Sequence, residues 1–111
     1  MKITSITARK VEVALETPFV VSLGTITSCE TVYVKIATDE GLVGYGEGAG
    51  ITFVTGETND TVINTIKLLE PVILGQSPYS IEHIHRKMDE MIVRNSSAKA
   101  AIDLALYDLM A

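Results

Sequence analysis

The sequence predicts an α+β domain, a three-stranded antiparallel meander followed by three helices. Apolar residues recur at mostly even spacing up to Gly48, and from Asn59 onward they recur with a helical period. Strands gathered first and helices after place the helices on one side of, or beside, a small sheet.

Across Lys2 to Glu16, residues Ile3, Ile6, Val11, Val13 and Leu15 make one long strand, or two short ones broken near Ala8. "CETVYVKIATD" alternates cleanly, with Val32, Val34 and Ile36 facing one way and Thr31, Tyr33 and Lys35 the other. Asp39-Glu40-Gly41 supplies a turn whose Gly can take the positive φ of a short hairpin loop, and "LVGYGEG" returns as the third strand.

Thr58 or Asn59 can cap a first helix whose Val62, Ile63, Ile66 and Leu69 form a stripe, with Pro71 and Gly75 limiting its length. Ser80 starts the second, in which Ile81, Ile84, Met88, Met91 and Ile92 line one side and Glu82, Arg86, Lys87 and Glu90 the wet side. The third has Ser97 as its cap and Ala98, Ala101, Ile102, Ala105, Leu106 and Leu109 on one face.

Two connections are unusually apolar: "TPFVVSLGTITS" between the first two strands and "GAGITFVTGETND" after the third. In one reading Val20 and Val21 extend a strand and Phe53 plugs the sheet end. In the other, both segments are lid loops whose apolar tips cover a ligand.

At 111 residues the chain is long enough for one domain with its own core. A hydrophobic fraction of 47% and a mean hydropathy of +0.30 are high for that size. A net charge of −5 without a basic run disfavours nucleic acid and anionic membrane surfaces as partners. No apolar run reaches the ~20 residues that span a bilayer, and the N-terminus alternates instead of forming a signal-peptide core, so the expected address is cytoplasmic. The single Cys29 has no neighbouring His or cation to stabilise a thiolate and reads as a packing residue.

"GYGEGAG" matches the spacing of a dinucleotide-binding turn, but it follows a hairpin and opens no helix, so its glycines read as strand-end and turn residues. His83 and His85 with Glu82 and Asp89 have metal-ligand residue types, yet His83 points away from the face shared by His85 and Asp89; a solvated helix face is the better account. Glu57 and Asp60 suit the first helix's N-terminus, and Asp103 and Asp108 the outer face of the last helix. Glu47 ends a strand beside both apolar segments, where its simplest role is to accept backbone N–H bonds. No nucleophile, base and orienting group come together, so composition and spacing give this chain no catalytic residue and no metal site.

The ordered motifs "MKITSITARKVEVAL", "TPF", "VYVKIATDEGLVGYGEG", "TGETND" and "SAKAAIDLALYDLMA" resemble the N-terminal capping domain of the enolase superfamily. Within it they are most similar to the mandelate racemase/muconate lactonising branch, and there to dipeptide epimerases of the L-Ala-D/L-Glu type. The resemblance spans residues 1–111. It implies a β/α barrel after Ala111, carrying two lysines that exchange the α-proton of a carboxylate substrate and three acidic ligands for Mg²⁺. This chain alone would then be inactive and hold no catalytic metal.

Its partners would be that barrel and, through the two apolar segments, a dipeptide; a homo-oligomer is compatible with the same reading. Carried over by position, Phe19 packs on the substrate, Val54 lines the second loop, and Gly24 stands where acidic-dipeptide epimerases tend to carry an Arg for the distal carboxylate. Gly24 has no side chain to pair with that group, which implies an apolar or small dipeptide. Muconate cycloisomerisation, o-succinylbenzoate synthesis and a standalone binding or oligomerisation module are the alternatives. The final helix then reads as a boundary left by truncation, with an exposed apolar patch expected near Leu109 and Met110.

Overall fold

The computed structural model describes residues 1–21, 24–49 and 56–111, and the side chains of these outside 13–29. The order of elements is β1 (Ile3–Val21), β2 (Gly24–Thr38), β3 (Val43–Gly48), α1 (Asn59–Ile73), α2 (Ile81–Met91) and α3 (Ser96–Met110). The sheet is antiparallel with β2 in the centre. Strands first and helices after is thus the observed order.

The first strand is unbroken at Ala8 and continues past Glu16. A register shift between Ile3 and Ser5 resolves its odd spacing. One extra residue reverses the alternation, so both Ile3 and Ile6 reach the core while Val11 lies on the opposite face. Of the two readings of "TPFVVSLGTITS", the backbone is that of strand extension: Phe19 pairs with Ile26, Val20 with Thr25 and Val21 with Gly24. A second register shift separates this tip from the Ala14–Ser28 pair and brackets Pro18, which has no N–H to give a ladder. Residues Ile51, Phe53 and Val54 of the other apolar segment lie outside the described residues, as does the Cys29 side chain.

β3 pairs only with Val32 to Ala37, so beyond Thr31 the first two strands continue as a two-stranded arm. From Thr31 to Gly24 the arm is about 23 Å long at ~3.3 Å per residue. Gly41 takes the expected positive φ, +79°, in the turn before β3.

Val32, Val34 and Ile36 turn one face of the sheet to Val62, Ile66, Leu69 and Ile73 of α1 and to Ala98, Ala101, Ile102, Ala105, Leu106 and Leu109 of α3; Ile84 and Met88 of α2 complete the core. Thr58 caps α1 reciprocally: its Oγ1 accepts from the Thr61 N–H at 3.1 Å, and Thr61 Oγ1 accepts from the Thr58 N–H at 2.8 Å. Pro71 does not end this helix, which runs to Ile73. The ring removes one bond in the last turn only, and the fully buried Ile73 holds that turn to the core. Gly75, at φ +83°, is where the chain leaves, and its N–H donates to the Ile3 carbonyl at 2.9 Å.

The apolar side of α2 is narrower than its sequence stripe, since Met91 is exposed. Arg94 and Asn95, both at φ +55°, join α2 to α3, with Asn95 rather than Ser97 at the N-cap position. A left-handed Arg costs about 1–2 kcal/mol against a glycine that needs no such strain. Arg94→Gly is therefore expected to raise stability by about 1 kcal/mol, read as a higher urea midpoint at unchanged slope.

Candidate functional site

The two arms of the β1–β2 hairpin place Phe19 and Gly24 close together at its tip: Gly24 pairs with Val21, two residues beyond Phe19. Val54 lies outside the described residues. Glu47 is not beside this tip. It pairs with Tyr33, and from Tyr33 to Gly24 the strand runs about 30 Å. Glu47 projects as an exposed side chain.

"GYGEG" lies within β3 and forms no turn. Gly44, Gly46 and Gly48 all face α3, and a methyl on Gly46 would overlap the Ala101 carbonyl oxygen and stand 2.8 Å from the Ala105 nitrogen. The glycines let a strand and a helix meet backbone to backbone, with Ser97, Ala101 and Ala105 as the small residues opposite. Leu109 fills the end of this contact and is buried, which corrects the expected patch around it. The exposed apolar side chains of α3 are Leu104 and Tyr107 instead.

Three carboxylates serve positions that spacing did not reveal. Glu57, 2% exposed, accepts the Ser97 N–H at 3.0 Å and the Ala98 N–H at 3.3 Å, so it caps α3 and not α1. Asp108 accepts the Tyr45 N–H of β3 at 2.8 Å. Asp103 Oδ1 lies 2.6 Å from His85 Nε2, joining α3 to α2. These last two are not simply solvated on an outer face, and neither is His85. Each depends on a partner far away in sequence; the Ser or Glu spacing of a local cap gives no hint of them. Asp60 does stand at the start of α1, where it pairs with Lys10 at 2.7 Å and raises that lysine's pKa through the hydrogen bond.

A second tie between α2 and α3 joins Asp89 to Lys99 at 2.8 Å. The hydrogen bond and charge of Lys99 hold the Asp89 carboxyl below its ordinary value of 3.8. A folded-state value below the unfolded one stabilises the fold above about pH 3.8 and loses that contribution as the pH falls through the folded value. Asp89→Asn is accordingly expected to lower stability at neutral pH by an amount that vanishes in acid, measured as urea midpoints against pH.

The His85–Asp103 pair has the look of a base with its orienting group, but among the described residues no hydroxyl or thiol nucleophile is hydrogen-bonded to it. Among the described residues no group of three His, Cys, Asp or Glu could hold a metal ion. The donor set for Mg²⁺ is therefore not met by the described part of this chain. No described helix is long and apolar enough to cross a membrane.

The domain matches the family model described as mandelate racemase / muconate lactonizing enzyme, N-terminal domain, over residues 3–111. It is 46% identical over 110 residues to the hydrophobic dipeptide epimerase of Enterococcus faecalis, covering 99% of this chain and 31% of that protein. It is 44% identical to the N-succinyl-L-Arg/Lys racemase of Bacillus cereus, covering 99% and 30%, and 38% identical to the L-Ala-D/L-Glu epimerase of Bacillus subtilis, covering 97% and 30%. A crystal structure of the Enterococcus faecalis enzyme complexed with Mg and the dipeptide L-Leu-L-Tyr superposes with a TM-score of 0.91 over 99% of this chain and 31% of that one. The Bacillus cereus racemase superposes at 0.92 over 99% and 30%. The chain spans about 30% of the length of these relatives. With its meander, its three helices and a family match that runs from Ile3 to the last residue, this chain belongs to the N-terminal capping domain family of the mandelate racemase / muconate lactonizing enzymes, within the enolase superfamily.

Proposed function

We propose that this domain closes over the active site of a barrel enzyme that epimerises dipeptides with apolar or small side chains. The observation that carries the reading is Gly24 at the tip of a free two-stranded arm. An arm unpaired by a third strand can reach beyond the domain's own core, and a glycine there offers no cation to a distal carboxylate. In this reading Phe19 packs on the substrate and Val54 lines the second loop. The barrel supplies the lysine pair and the Mg²⁺ site, so the catalytic residues and the metal ligands belong to it. The greater identity to the hydrophobic dipeptide epimerase than to the L-Ala-D/L-Glu epimerase, 46% against 38%, supports an apolar preference.

The test is α-proton exchange in D₂O with Mg²⁺, using protein expressed together with its downstream coding region. Leu-Tyr and Ala-Val dipeptides should incorporate deuterium faster than Ala-Glu. Gly24→Arg should raise kcat/KM for Ala-Glu about tenfold, the worth of one modest charged contact. Clear preference of the unmodified enzyme for an acidic second residue would defeat the substrate reading; exchange with no dipeptide would remove epimerisation.

A second reading is racemisation of an N-acylated basic amino acid, favoured by the 44% identity and 0.92 TM-score to the N-succinyl Arg/Lys racemase. Including N-succinyl-arginine in the same exchange assay separates the two.

A further inference from the structure

The arm that carries Phe19 and Gly24 leaves the domain without a third strand, and a two-stranded hairpin alone is marginally stable in water. Its direction is therefore set at the root. Val32 faces the core, so Lys10, which is paired with it, and Glu30, two residues along, stand on the same helix-side face. There the apolar face of the sheet turns charged, and the first turn of α1 meets it. Asn59 Nδ2 donates to the Glu30 carbonyl oxygen at 3.0 Å and to Glu30 Oε1 at 3.2 Å, while Asp60 Oδ1 lies 2.7 Å from Lys10 Nζ. One helix end thus grips both strands, β2 through Asn59 and β1 through Asp60. The hydrogen bond and charge of Asp60 raise the Lys10 pKa above 10.5, and the charge of Glu30 adds to that shift, so the three groups act on one another. Glu12 is paired with Glu30, and two carboxylates opposed across a hairpin favour splaying unless donors and the positive end of a helix lie beside them.

The grip is itself fixed to the core. Glu57 binds the start of α3 and Thr58 caps α1, so Glu57, Thr58, Asn59 and Asp60, consecutive in the chain, each tie a different element to one point. On the other edge, where β3 ends, the Thr31 hydroxyl donates to the Gly48 carbonyl at 3.3 Å. An ion pair as exposed as Lys10–Asp60 adds little to stability, but it fixes a direction. We propose that Asn59 and Asp60 are positioning residues of the enzyme, setting the angle at which the arm stands and hence where its tip meets the substrate. This rests on the reading that the arm covers a dipeptide. From Glu30 to Gly24 the strand runs about 20 Å, so a tilt of about 3° at the root moves the tip by about 1 Å. A misplacement of about 1 Å can cost about a hundredfold where a group has to meet a substrate.

The test uses the full-length enzyme, expressed with its downstream coding region, in the α-proton exchange assay with Leu-Tyr. Asn59→Ala and Asp60→Ala should each raise KM about fivefold or more. Their kcat should stay within about twofold, because the tip's contacts weaken in the ground and transition states alike. Asp60→Glu keeps a carboxylate for Lys10 and should hold KM near that of the unmodified enzyme. Lys10→Ala should match Asp60→Ala, and the double variant should be no worse than either, since both changes break one contact. Urea midpoints should stay close to the unmodified value; a merely structural role would move the midpoint and leave KM in place.

Unchanged KM in both alanine variants, with the unmodified enzyme active on Leu-Tyr, would overturn the proposal and leave the capping reading standing. Fully additive effects of Lys10→Ala and Asp60→Ala would overturn it as well. If the unmodified enzyme exchanges no dipeptide, the capping reading fails and the positioning role falls with it. Should Asn59→Ala not fold, Asp60→Asn decides, because the Asp60 side chain is 74% exposed and the change removes only its charge. A raised KM in that variant supports the proposal, and an unchanged one refutes it.

Discussion

Gly46→Ala is expected to lower stability by about 3 kcal/mol, at the upper end of what overpacking costs, and Gly46→Val to leave no folded domain in urea titrations. The added methyl meets the α3 backbone, the Ala101 carbonyl and the Ala105 nitrogen, and not the flexible end of a side chain. Backbone can yield only by moving the helix as a whole, which would strip Ile102, Leu106 and Leu109 of their contacts. Gly48→Ala should be milder, because its new methyl would stand 2.5 Å from the Ser97 carbonyl oxygen near the first turn of the helix, where the backbone can give. An unchanged urea midpoint for Gly46→Ala would mean that α3 does not seat on β3 at this depth.

Glu57→Ala is expected to cost about 2–3 kcal/mol, because two N–H groups in the first turn of α3 lose their acceptor in a buried setting. Glu57→Gln keeps one oxygen as acceptor but no charge for the helix dipole, and about half of that loss is expected. Hydrogen exchange should locate the damage: the amides of Ser97 and Ala98 should lose protection in Glu57→Ala while those of α1 keep theirs. Equal loss in both helices would show that Glu57 acts by general packing. The Ser97 and Ala98 bonds, at 3.0 and 3.3 Å, make the local outcome the expected one.

These two residues show where the sequence was legible and where it was not. Glu57 stands directly before Thr58 and Asn59, so its negative charge suits α1 on any local reasoning; its actual partners are 40 and 41 residues away. Helical period puts Asp103 and Asp108 on an outer face but cannot say which neighbour crosses that face, and His85 and Tyr45 do so. The glycines of "GYGEG" read as structural from the sequence, yet spacing cannot distinguish a turn role from helix–strand approach, which depends on what lies opposite. Of the residues assigned to the substrate, Phe19 and Gly24 fall at one hairpin tip. Element order suggests Glu47 beside them because it ends a strand, and strand length, not order, puts it far away.

By itself the sequence determined the order and type of the elements, the α1 cap to within one residue, the Gly41 turn and nearly all of the core. Each follows from local periodicity or local turn chemistry, and each is settled within a few residues. Only the tertiary structure decided how far the first hairpin extends, which glycines lie under α3, and which carboxylates cap or bridge elements. It also decided that the exposed apolar side chains of α3 are Leu104 and Tyr107. The reason is physical: those outcomes depend on which surfaces meet after the chain has closed on itself, and a close contact between elements distant in sequence leaves no periodic trace in either one.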